Sequence, residues 1–462
     1  MAGSIQSSPG VALTPTSTMV ALPTNYITDF DYLSQYLPET YEKEFAKYGK
    51  QTIASFLRLT SSEIASTSDL IKWSEEGRLH QKYTDLTTAT ADAQGTSTFV
   101  SAAGSCTFRV NQTVFISNNA TDVSAKAIIS SVTPATGTFI VRWYEAAGQP
   151  AGMNASTALT AFVYGSEFKK GSDGMDGALE AEVEIFDNKP IIIKDKYEVS
   201  GSDMAQKGWI EVEGGYLWYL KSEHNTRKRF EDYLEMSMIE GVEAENGSAA
   251  EAYLSGNTGG GNAGTQGLID SIETRGNVWA AGNPTALADW DSILKRLDKQ
   301  GAIQQNIIFN DRDMSIAVDD MLGAIHSATG PSYGMFDNSA DMALNLGFDG
   351  FRRGSYDFYK TDWKYLNDAT LRGGITGGKV NGILVPAGTK NVYDEVMGES
   401  VTRPFLHVRY RASKTEDRRY KTWILGSSGG ARTSAIDKME VHFLSERALC
   451  TMGANNFFIF KG

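Results

Sequence analysis

The chain has 462 residues, of which 41% are hydrophobic and 21% charged, and its formal net charge is −13. These proportions allow sizeable cores, and the length predicts two to four compact units at roughly 150 residues each. Lys and Arg are scattered among carboxylates, which argues against a protein that holds nucleic acid through its phosphates. The acidic balance fits either a densely packed protein that does not adhere to DNA or an ordinary cytoplasmic protein.

Residues 1–29 are rich in Ser, Thr, Ala and Pro and nearly free of charge. A segment of this composition cannot bury enough apolar surface to offset its loss of conformational entropy. We therefore expect a tail, or an arm that becomes ordered on a neighbouring molecule. Aromatic residues then recur at three- and four-residue spacing between Tyr32 and Tyr48, interrupted by Pro38, which predicts short helices.

Short β-branched and aromatic runs dominate residues 96–168. The predicted strands are Phe108–Val110, Thr113–Ile116, Ala125–Val132, Thr138–Tyr144 and Ala158–Tyr164. Turn formers such as Pro134–Gly137 separate them. Five strands within about 70 residues, with almost no helical pattern, predict a small β-barrel inserted into a larger fold.

Two further strands, Val183–Phe186 and Ile191–Val199, are joined by a short turn at residues 187–190. The outer half of the second strand carries charge on both faces, including Lys194 and Lys196. This pattern predicts a hairpin that projects from the body, with that half away from any core. Because a lone flat ribbon is marginal in water, it needs a partner to lie on.

A long helix is predicted from Tyr216 to Glu245, since the stretch has no Pro and no Gly before Gly241. Such a helix would span about 45 Å at 1.5 Å per residue, which is longer than a single small domain needs. The four-residue spacing of its charges predicts two surface ion pairs. These are Glu223 with Arg227 and Lys228 with Asp232. Later apolar residues form a predicted stripe: Phe230, Tyr233, Leu234, Met238 and Val242.

Beyond a Gly-rich loop at residues 255–267, the pattern is mixed α/β. One amphipathic helix carries Leu287 to Leu297 and ends at Gly301, and a second follows the buried strand Ile307–Phe309. The later predicted strands are Tyr356–Lys360, Gly382–Val385, Phe405–Arg411, Thr422–Leu425, Met439–Cys450 and Asn456–Phe460. Asp311 and Asp313 precede the second helix, which favours capping over a metal site or an acid/base pair.

No pattern predicts a catalytic, cofactor-binding or metal site. The glycines at 259–264 match a dinucleotide fingerprint in letters but follow a helix, which favours a linker. Five scattered histidines lack a paired-ligand spacing, and Asp173 and Asp176 fit turn chemistry better than a cation site. Cys106 and Cys450 form no framework, and no secretory signal or membrane-spanning run of about 20 apolar residues is present.

The order of these segments along the chain resembles that of a known protein family. The run "NKPIIIKDKYEVSGS" at 188–202, leading to "YLWYLKSEHNTRKRFEDYLEMSMIEG" at 216–241, resembles the passage from ribbon to spine helix in tailed-bacteriophage major capsid proteins of the Hong Kong 97-type fold. The ending "MEVHFLSERALCTMGANNFFIFKG" from Met439 is similar to the strands that close the peripheral domain of that family. The resemblance covers most of the chain by order and loose pattern, and the barrel departs from the minimal fold.

The resemblance implies an α+β fold with an N-terminal arm at 1–85 and an E-loop region at 86–215 that carries the barrel inserted at about 96–168. A peripheral domain with the spine helix would take 216–289 and 436–462, and an axial domain 290–435. Glu223, Arg227, Lys228, Asp232, Lys194 and Lys196 are the candidate inter-subunit contacts.

The implied function is a non-enzymatic head shell, without a cofactor, built from hexamers and pentamers of the chain. Portal and head-decoration proteins would be partners, and the shell would enclose double-stranded DNA without sequence-specific binding and without a membrane. The expected location is the virion, after assembly in the bacterial host cytoplasm. A tail or decoration protein of the same particle and an encapsulin-like compartment shell are the alternatives.

Overall fold

The computed structural model describes residues 56–78, 80, 82–91, 95–153, 159–177, 182–205, 218–255, 263–329, 350–387, 389–394, 399–430 and 432–462. The predicted arm before residue 56 and most of the Gly-rich loop lie outside these ranges. The chain divides into two compact units. One spans Lys72–Asp187, and the other combines the residues before it with Asn188–Gly462.

The helices are α1 (Phe56–Thr60), α2 (Gly201–Met204), α3 (Trp218–Glu240), α4 (Ala249–Ser255), α5 (Leu268–Arg275), α6 (Leu287–Gln300), α7 (Arg312–Thr329) and α8 (Lys364–Asn367). Strands before residue 200 are β1 (Ser62–Ser66), β2 (Ile71–Glu76), β3 (Lys82–Ala91), β4 (Thr96–Val100), β5 (Gln112–Asn118), β6 (Val123–Thr133), β7 (Thr138–Trp143), β8 (Leu159–Ser166), β9 (Val183–Asn188) and β10 (Ile191–Ser200). Later strands are β11 (Asn277–Trp279), β12 (Gln305–Asn310), β13 (Gly350–Arg353), β14 (Tyr356–Asp362), β15 (Val380–Pro386), β16 (Thr389–Asp394), β17 (Glu399–Pro404), β18 (Leu406–Arg411), β19 (Lys421–Gly426), β20 (Lys438–Thr451) and β21 (Phe458–Lys461).

A five-stranded sheet is organised around β20. Its order is β1-β18-β20-β10, and β19 also pairs with β20. Strand β10 runs antiparallel to β20 along its whole length, from Ile191 opposite Arg447 to Ser200 opposite Lys438. The outer half of β10 therefore lies in the body and buries Val199, and the prediction that this half stands away from any core is wrong.

Helix α3 packs on this sheet through Phe230 and Leu234, which meet Val199, Val441 and Phe443. The predicted stripe is confirmed at Phe230, Leu234 and Met238, all of which are buried. The prediction is wrong for Tyr233 and Val242, which are 42% and 63% exposed. Val242 lies beyond the helix end, so helical spacing does not apply to it.

Helix α3 is shorter than predicted because it ends at Glu240. A Cβ atom on Gly241 would lie 2.6 Å from the carbonyl oxygens of both Ser237 and Thr265. The chain at residues 264–267 crosses closely here, and the amide of Gly267 donates to the oxygen of Gly241 at 2.8 Å. Tertiary contact, and not helix propensity, sets this boundary. The predicted start at Tyr216 lies outside the described residues.

A six-stranded mixed sheet, ordered β11-β21-β15-β12-β14-β13, forms the second layer. Every residue of β15 is buried, which is the pattern of a strand covered on both faces. On one face Leu384 meets α6 and α7, and on the other Ile383 joins a core shared with α1, α3 and α5. The capping prediction is confirmed, because the Asp311 carboxylate accepts from the amide of Met314 at 2.7 Å.

The predicted barrel is confirmed as a closed barrel of antiparallel strands in the order β3-β4-β7-β6-β5-β8. It begins at Lys82 instead of residue 96, so the sequence missed β3 and β4. Asp85 has a φ of 58°, and the register of β3 against β8 shifts between Tyr83 and Leu86. This bulge breaks the strand alternation that the prediction relied on. Phe108–Val110 is not a strand, although Phe108 is buried in the barrel core.

The predicted hairpin of β9 with β10 is wrong. Strand β9 pairs with β2 in a separate two-stranded sheet, and β10 pairs with β20. Each strand was correctly located in sequence. The partner of β10, however, lies about 250 residues further along the chain, and the residues around β10 do not indicate which distant strand it pairs with. A ribbon therefore exists, and it consists of β2 and β9.

No helix in the described ranges is long and apolar enough to cross a membrane.

Replacing Phe230 by Ala tests how α3 is held to its sheet. Phe230 is fully buried, with its ring centroid 5.4 Å from that of Tyr420 and 5.7 Å from that of Phe443. We expect the free energy of unfolding to fall by about 3–5 kcal/mol in chemical denaturation. Tyr233→Ala, on the exposed side of the same helix, is the control and should cost about 1 kcal/mol or less. Equal losses in both variants would contradict this packing.

Candidate assembly surfaces

A buried amide holds the junction between β9 and β10. Asn188 is 2% exposed, and its Nδ2 donates to the carbonyl oxygens of Gln266 and Leu449 at 2.9 and 2.6 Å. Its Oδ1 accepts from the amides of Lys189 and Gln266, both at 2.8 Å, and from the Thr265 hydroxyl at 3.0 Å. Both donor hydrogens and the acceptor oxygen are in use. The start of β10 is thereby fixed to β20 and to the segment before α5.

The two faces of β10 have different roles. Asp195 and Tyr197 point toward α3, where Asp195 accepts from Arg229 at 3.1 Å. Lys194, Lys196 and Glu198 alternate with them on the exposed face. The Lys196 and Glu198 side chains meet at 2.8 Å, and this hydrogen bond raises the pKa of the lysine. The predicted candidates Lys194 and Lys196 are thus brought together on one solvent-facing row.

Neighbouring strands extend this row. Lys196 lies opposite His442 on β20, which lies opposite Trp423 on β19. The Trp423 and His442 rings stack with centroids 5.1 Å apart and planes 5° from parallel. Lys438 reaches Glu198 at 3.1 Å, and together with Lys196 it holds the pKa of Glu198 below its usual value. The outer face of the sheet is therefore a lattice of paired charges around an aromatic stack.

The charged half of α3 is arranged differently from the prediction. Arg227 pairs with Glu231 at 3.8 Å and lies over the Tyr420 ring at 5.7 Å, so the predicted Glu223–Arg227 pair is wrong. In the part of the chain that the structure describes, Glu223 and Lys228 form no ion pair, and the predicted Lys228–Asp232 pair is also wrong. Glu223 and Lys228 are thus free to meet charges on another molecule.

The last residue of α3 is anchored by charge. The Glu240 carboxylate receives two hydrogen bonds from the Arg372 guanidinium, both 2.6 Å, and one from the Tyr365 hydroxyl at 2.5 Å. Burial alone would raise the pKa of Glu240, but these hydrogen bonds lower it below its usual value. A carboxylate is normally unfavourable at a helix C-terminus, so Arg372 offsets the helix dipole as well as the desolvation.

An open cleft of about 670 Å³ lies between α3, the α1–β1 segment and the turn before β19. Glu63 meets the nearly buried Arg447 at 3.6 Å and also pairs with Arg419. Burial lowers the pKa of Arg447. Glu235, 4% exposed, accepts from the amides of Phe56 and Leu57 at 2.5 and 3.2 Å. The charges of the cleft are used to hold the α1–β1 segment in place.

The ribbon of β2 and β9 exposes apolar side chains to solvent. Val183 and Ile185 are 58% and 68% exposed and share one face of β9. On the other face the rings of Trp73 and Phe186 lie 6.4 Å apart. Isolated two-stranded sheets are marginally stable in water. A surface that covered this valine and isoleucine would remove apolar area from water and stabilise the ribbon.

The described residues contain no group of three or more His, Cys, Asp or Glu side chains that could hold a metal ion. Burial raises the pKa of the Cys106 thiol, which disfavours the reactive thiolate. The sequence-based prediction that the chain is not an enzyme and needs no cofactor stays a prediction.

No protein-family model matches this chain, and no curated protein is similar to it. Among solved structures it is similar to one from Gordonia phage Cozz, at 9% identity over 97% of this chain and 99% of that chain, with a TM-score of 0.42. It is also similar to the capsid of the cyanophage P-SCSP1u, at 8% identity over 93% of each chain, with a TM-score of 0.40. A third is the bacteriophage PhiM1 mature capsid, at 8% identity over 92% of each chain, with a TM-score of 0.39.

Sequence reasoning missed the two residues that position these surfaces. Asn188 was read only as part of a turn, because its partners at 265, 266 and 449 are distant in sequence. Glu240 was read as an ordinary helical residue, and nothing near it signals Arg372. The sequence pattern predicted a strand at Val183 and Ile185, but it did not show that these side chains are 58% and 68% exposed.

Asn188→Asp tests the junction. The new carboxylate would face two carbonyl oxygens in place of an amide donor, and we expect it to lower the free energy of unfolding by about 3 kcal/mol or more at neutral pH. This loss should shrink on acidification, because a protonated carboxyl can donate one hydrogen bond. Denaturant unfolding at pH 7 and pH 5 measures both. Asn246→Asp, at an exposed turn, is the control and should be nearly neutral.

Glu240→Gln tests the helix anchor through pH. Because the folded pKa of Glu240 lies below its usual value, its stabilisation is present above the unfolded pKa of about 4.3 and is lost as pH falls through the folded value. We expect the variant to lose about 1–3 kcal/mol at pH 7 and to approach the parent protein below about pH 4. Thermal unfolding against pH measures this difference, with the exposed Glu245→Gln as control. A pH-independent difference would count against the anchor.

Proposed function

We propose that this chain is the major capsid protein of a tailed bacteriophage, which assembles with copies of itself into the icosahedral head shell around the packaged genome. The observation that carries the proposal is the ribbon of β2 and β9, whose Val183 and Ile185 remain largely exposed in a single copy. A sheet of this size needs a covering surface. A protein that occurs in many contacting copies supplies that surface from its neighbours.

Charged surfaces without intramolecular partners support the same role. Glu223 and Lys228 on α3 find no ion pair among the described residues, and Lys194 lies exposed on the long edge strand β10. Singly, exposed ion pairs contribute about 0–1 kcal/mol. Repeated between many copies across obligate interfaces, typically about 2,000 Å² or more, they determine which surfaces meet. Asp232, Arg227 and Lys196 have intramolecular interactions and would act through the same surfaces.

The finer assignments follow from the family resemblance. In this proposal residues 1–85 form the arm, 86–215 the E-loop region with its barrel, 216–289 and 436–462 the peripheral domain, and 290–435 the axial domain. Hexamers and pentamers would assemble in the host cytoplasm, with portal and decoration proteins as partners. The net charge of −13 fits a shell whose inner wall does not retain the enclosed DNA.

Lys228→Glu tests whether the free charges of α3 lie between copies. Lys228 has no partner within the described chain, so we expect unchanged monomer stability but a concentration for assembly that rises about two- to five-fold, the equivalent of one exposed ion pair. Light scattering against protein concentration measures this, with the exposed Lys295→Glu on α6 as the matched control. An identical shift in both variants would mean that only net charge matters.

Electron microscopy of the purified parent protein supplies the decisive observation. Closed polyhedral shells support the capsid role, whereas tubes or open rings favour a tail or decoration protein. Shells that enclose an enzyme in place of DNA favour a compartment. A compact monomer under all conditions would exclude self-assembly altogether.

A further inference from the structure

We propose that an aromatic, lysine-flanked face of the barrel binds the β2–β9 ribbon of a second copy of this chain. The inference rests on the proposed function and names a contact within it. It assigns a role to the barrel, which is the part of the chain that departs from the minimal fold of the resembled family.

The barrel face is built by strand register. Lys82 on β3 lies opposite Phe162 on β8, Phe162 opposite Phe115 on β5, and Phe115 opposite Lys126 on β6. Opposite residues in antiparallel strands point to the same side, so the four form one row across adjacent strands. At about 4.8 Å between strands, the row is about 14 Å wide. Two aromatic rings therefore lie between two ammonium groups on the outside of the barrel.

Two more aromatic residues widen this face. Tyr144 and Tyr164 are 50% and 48% exposed, and Phe162 is 41% exposed. The Phe115 and Phe162 ring centroids lie 5.2 Å apart, and the Lys126 ammonium lies 5.6 Å from the Tyr164 centroid. Clustered exposed aromatic residues are typical of protein interfaces. Neither Lys82 nor Lys126 forms an ion pair in the described part of the chain.

The ribbon offers the complementary chemistry. Asp187 follows Val183 and Ile185 on the same face of β9, and it forms no ion pair with any described residue. Apolar side chains beside an unpaired carboxylate match aromatic rings between unpaired lysines. A nucleic acid is the less favoured occupant, because the unit that carries the barrel has more carboxylates than Lys and Arg side chains.

Both surfaces are exposed among the described residues of one copy, so the proposed contact takes its ribbon from a second copy. Joining a ribbon to a different surface on the next molecule is a head-to-tail contact. Contacts of this kind close into rings when the rotation between copies permits. The proposed contact is therefore one that builds the rings of a shell. In such a ring the ribbon of each copy binds the barrel face of one neighbour, and its barrel face binds the ribbon of the other.

Photo-crosslinking of the full-length protein tests the contact. A benzophenone amino acid at Phe162 should crosslink, in assembled particles, to residues 71–76 or 182–188 of a different chain. Mixing isotopically labelled and unlabelled copies before assembly distinguishes crosslinks between chains from those within one. The same probe at Tyr253, which is 87% exposed in the other unit, should not give this product. Crosslinks from Phe162 to another surface, or only within one chain, would overturn the inference.

A charge exchange provides the second arm. Lys126→Glu and Asp187→Lys should each reduce the crosslink yield at Phe162 by about five-fold, the upper end for one exposed ion pair. The two changes combined should restore most of the yield, whereas Lys169→Glu, an exposed lysine of the same unit, should have little effect. Normal shells with an unaffected crosslink yield would overturn this contact and leave the proposed function standing. Failure of the parent protein to assemble at all would overturn both.

Discussion

The Asn188 amide is the interaction on which the placement of β10 depends. It joins the end of one strand to a loop 77 residues away and to a strand 261 residues away, all through hydrogen bonds that are shielded from water. A buried amide with every donor and acceptor in use tolerates few alternatives, because a lost partner leaves a carbonyl group unsatisfied. Apolar packing holds β10 on the body, and the amide determines where β10 begins.

Once the start of β10 is fixed, strand alternation determines which of its side chains face α3 and which face solvent. Its inward face packs on α3, and α3 in turn is held at its end by the Glu240 carboxylate and along its length by Phe230. The outward face carries charges that pair with neighbours on β20. Paired charges thus occur both at the buried end of α3 and on the exposed face of β10. Glu223 and Lys228, by contrast, form no ion pair among the described residues.

Much of the fold could be predicted from local pattern. The strands of the barrel from β5 onward, both amphipathic helices of the mixed sheet and the cap at Asp311 were located to within a few residues, because each depends on neighbours in sequence. What failed was long-range pairing. The partner of β10 could not be read from its own residues, and a bulge at Asp85 concealed β3.

The candidate assembly surfaces were only partly predictable for the same reason. Lys194 and Lys196 were correctly placed on an exposed row, since strand alternation determines which side chains share a face. The ion pairs along α3 were wrong, because spacing alone does not choose between a partner four residues before and one four residues after. Arg227 meets Glu231 and Tyr420, and the second of these lies on a distant turn.

The position of β20 in the centre of its sheet has a consequence for biosynthesis. Strands β10, β18 and β19 all pair with residues 438–451. A nascent chain on the ribosome therefore cannot form this sheet until that segment has emerged. Pairings of such long sequence separation form late and slowly. Chains interrupted before residue 438 would lack the strand that joins the others, and this sheet could not form.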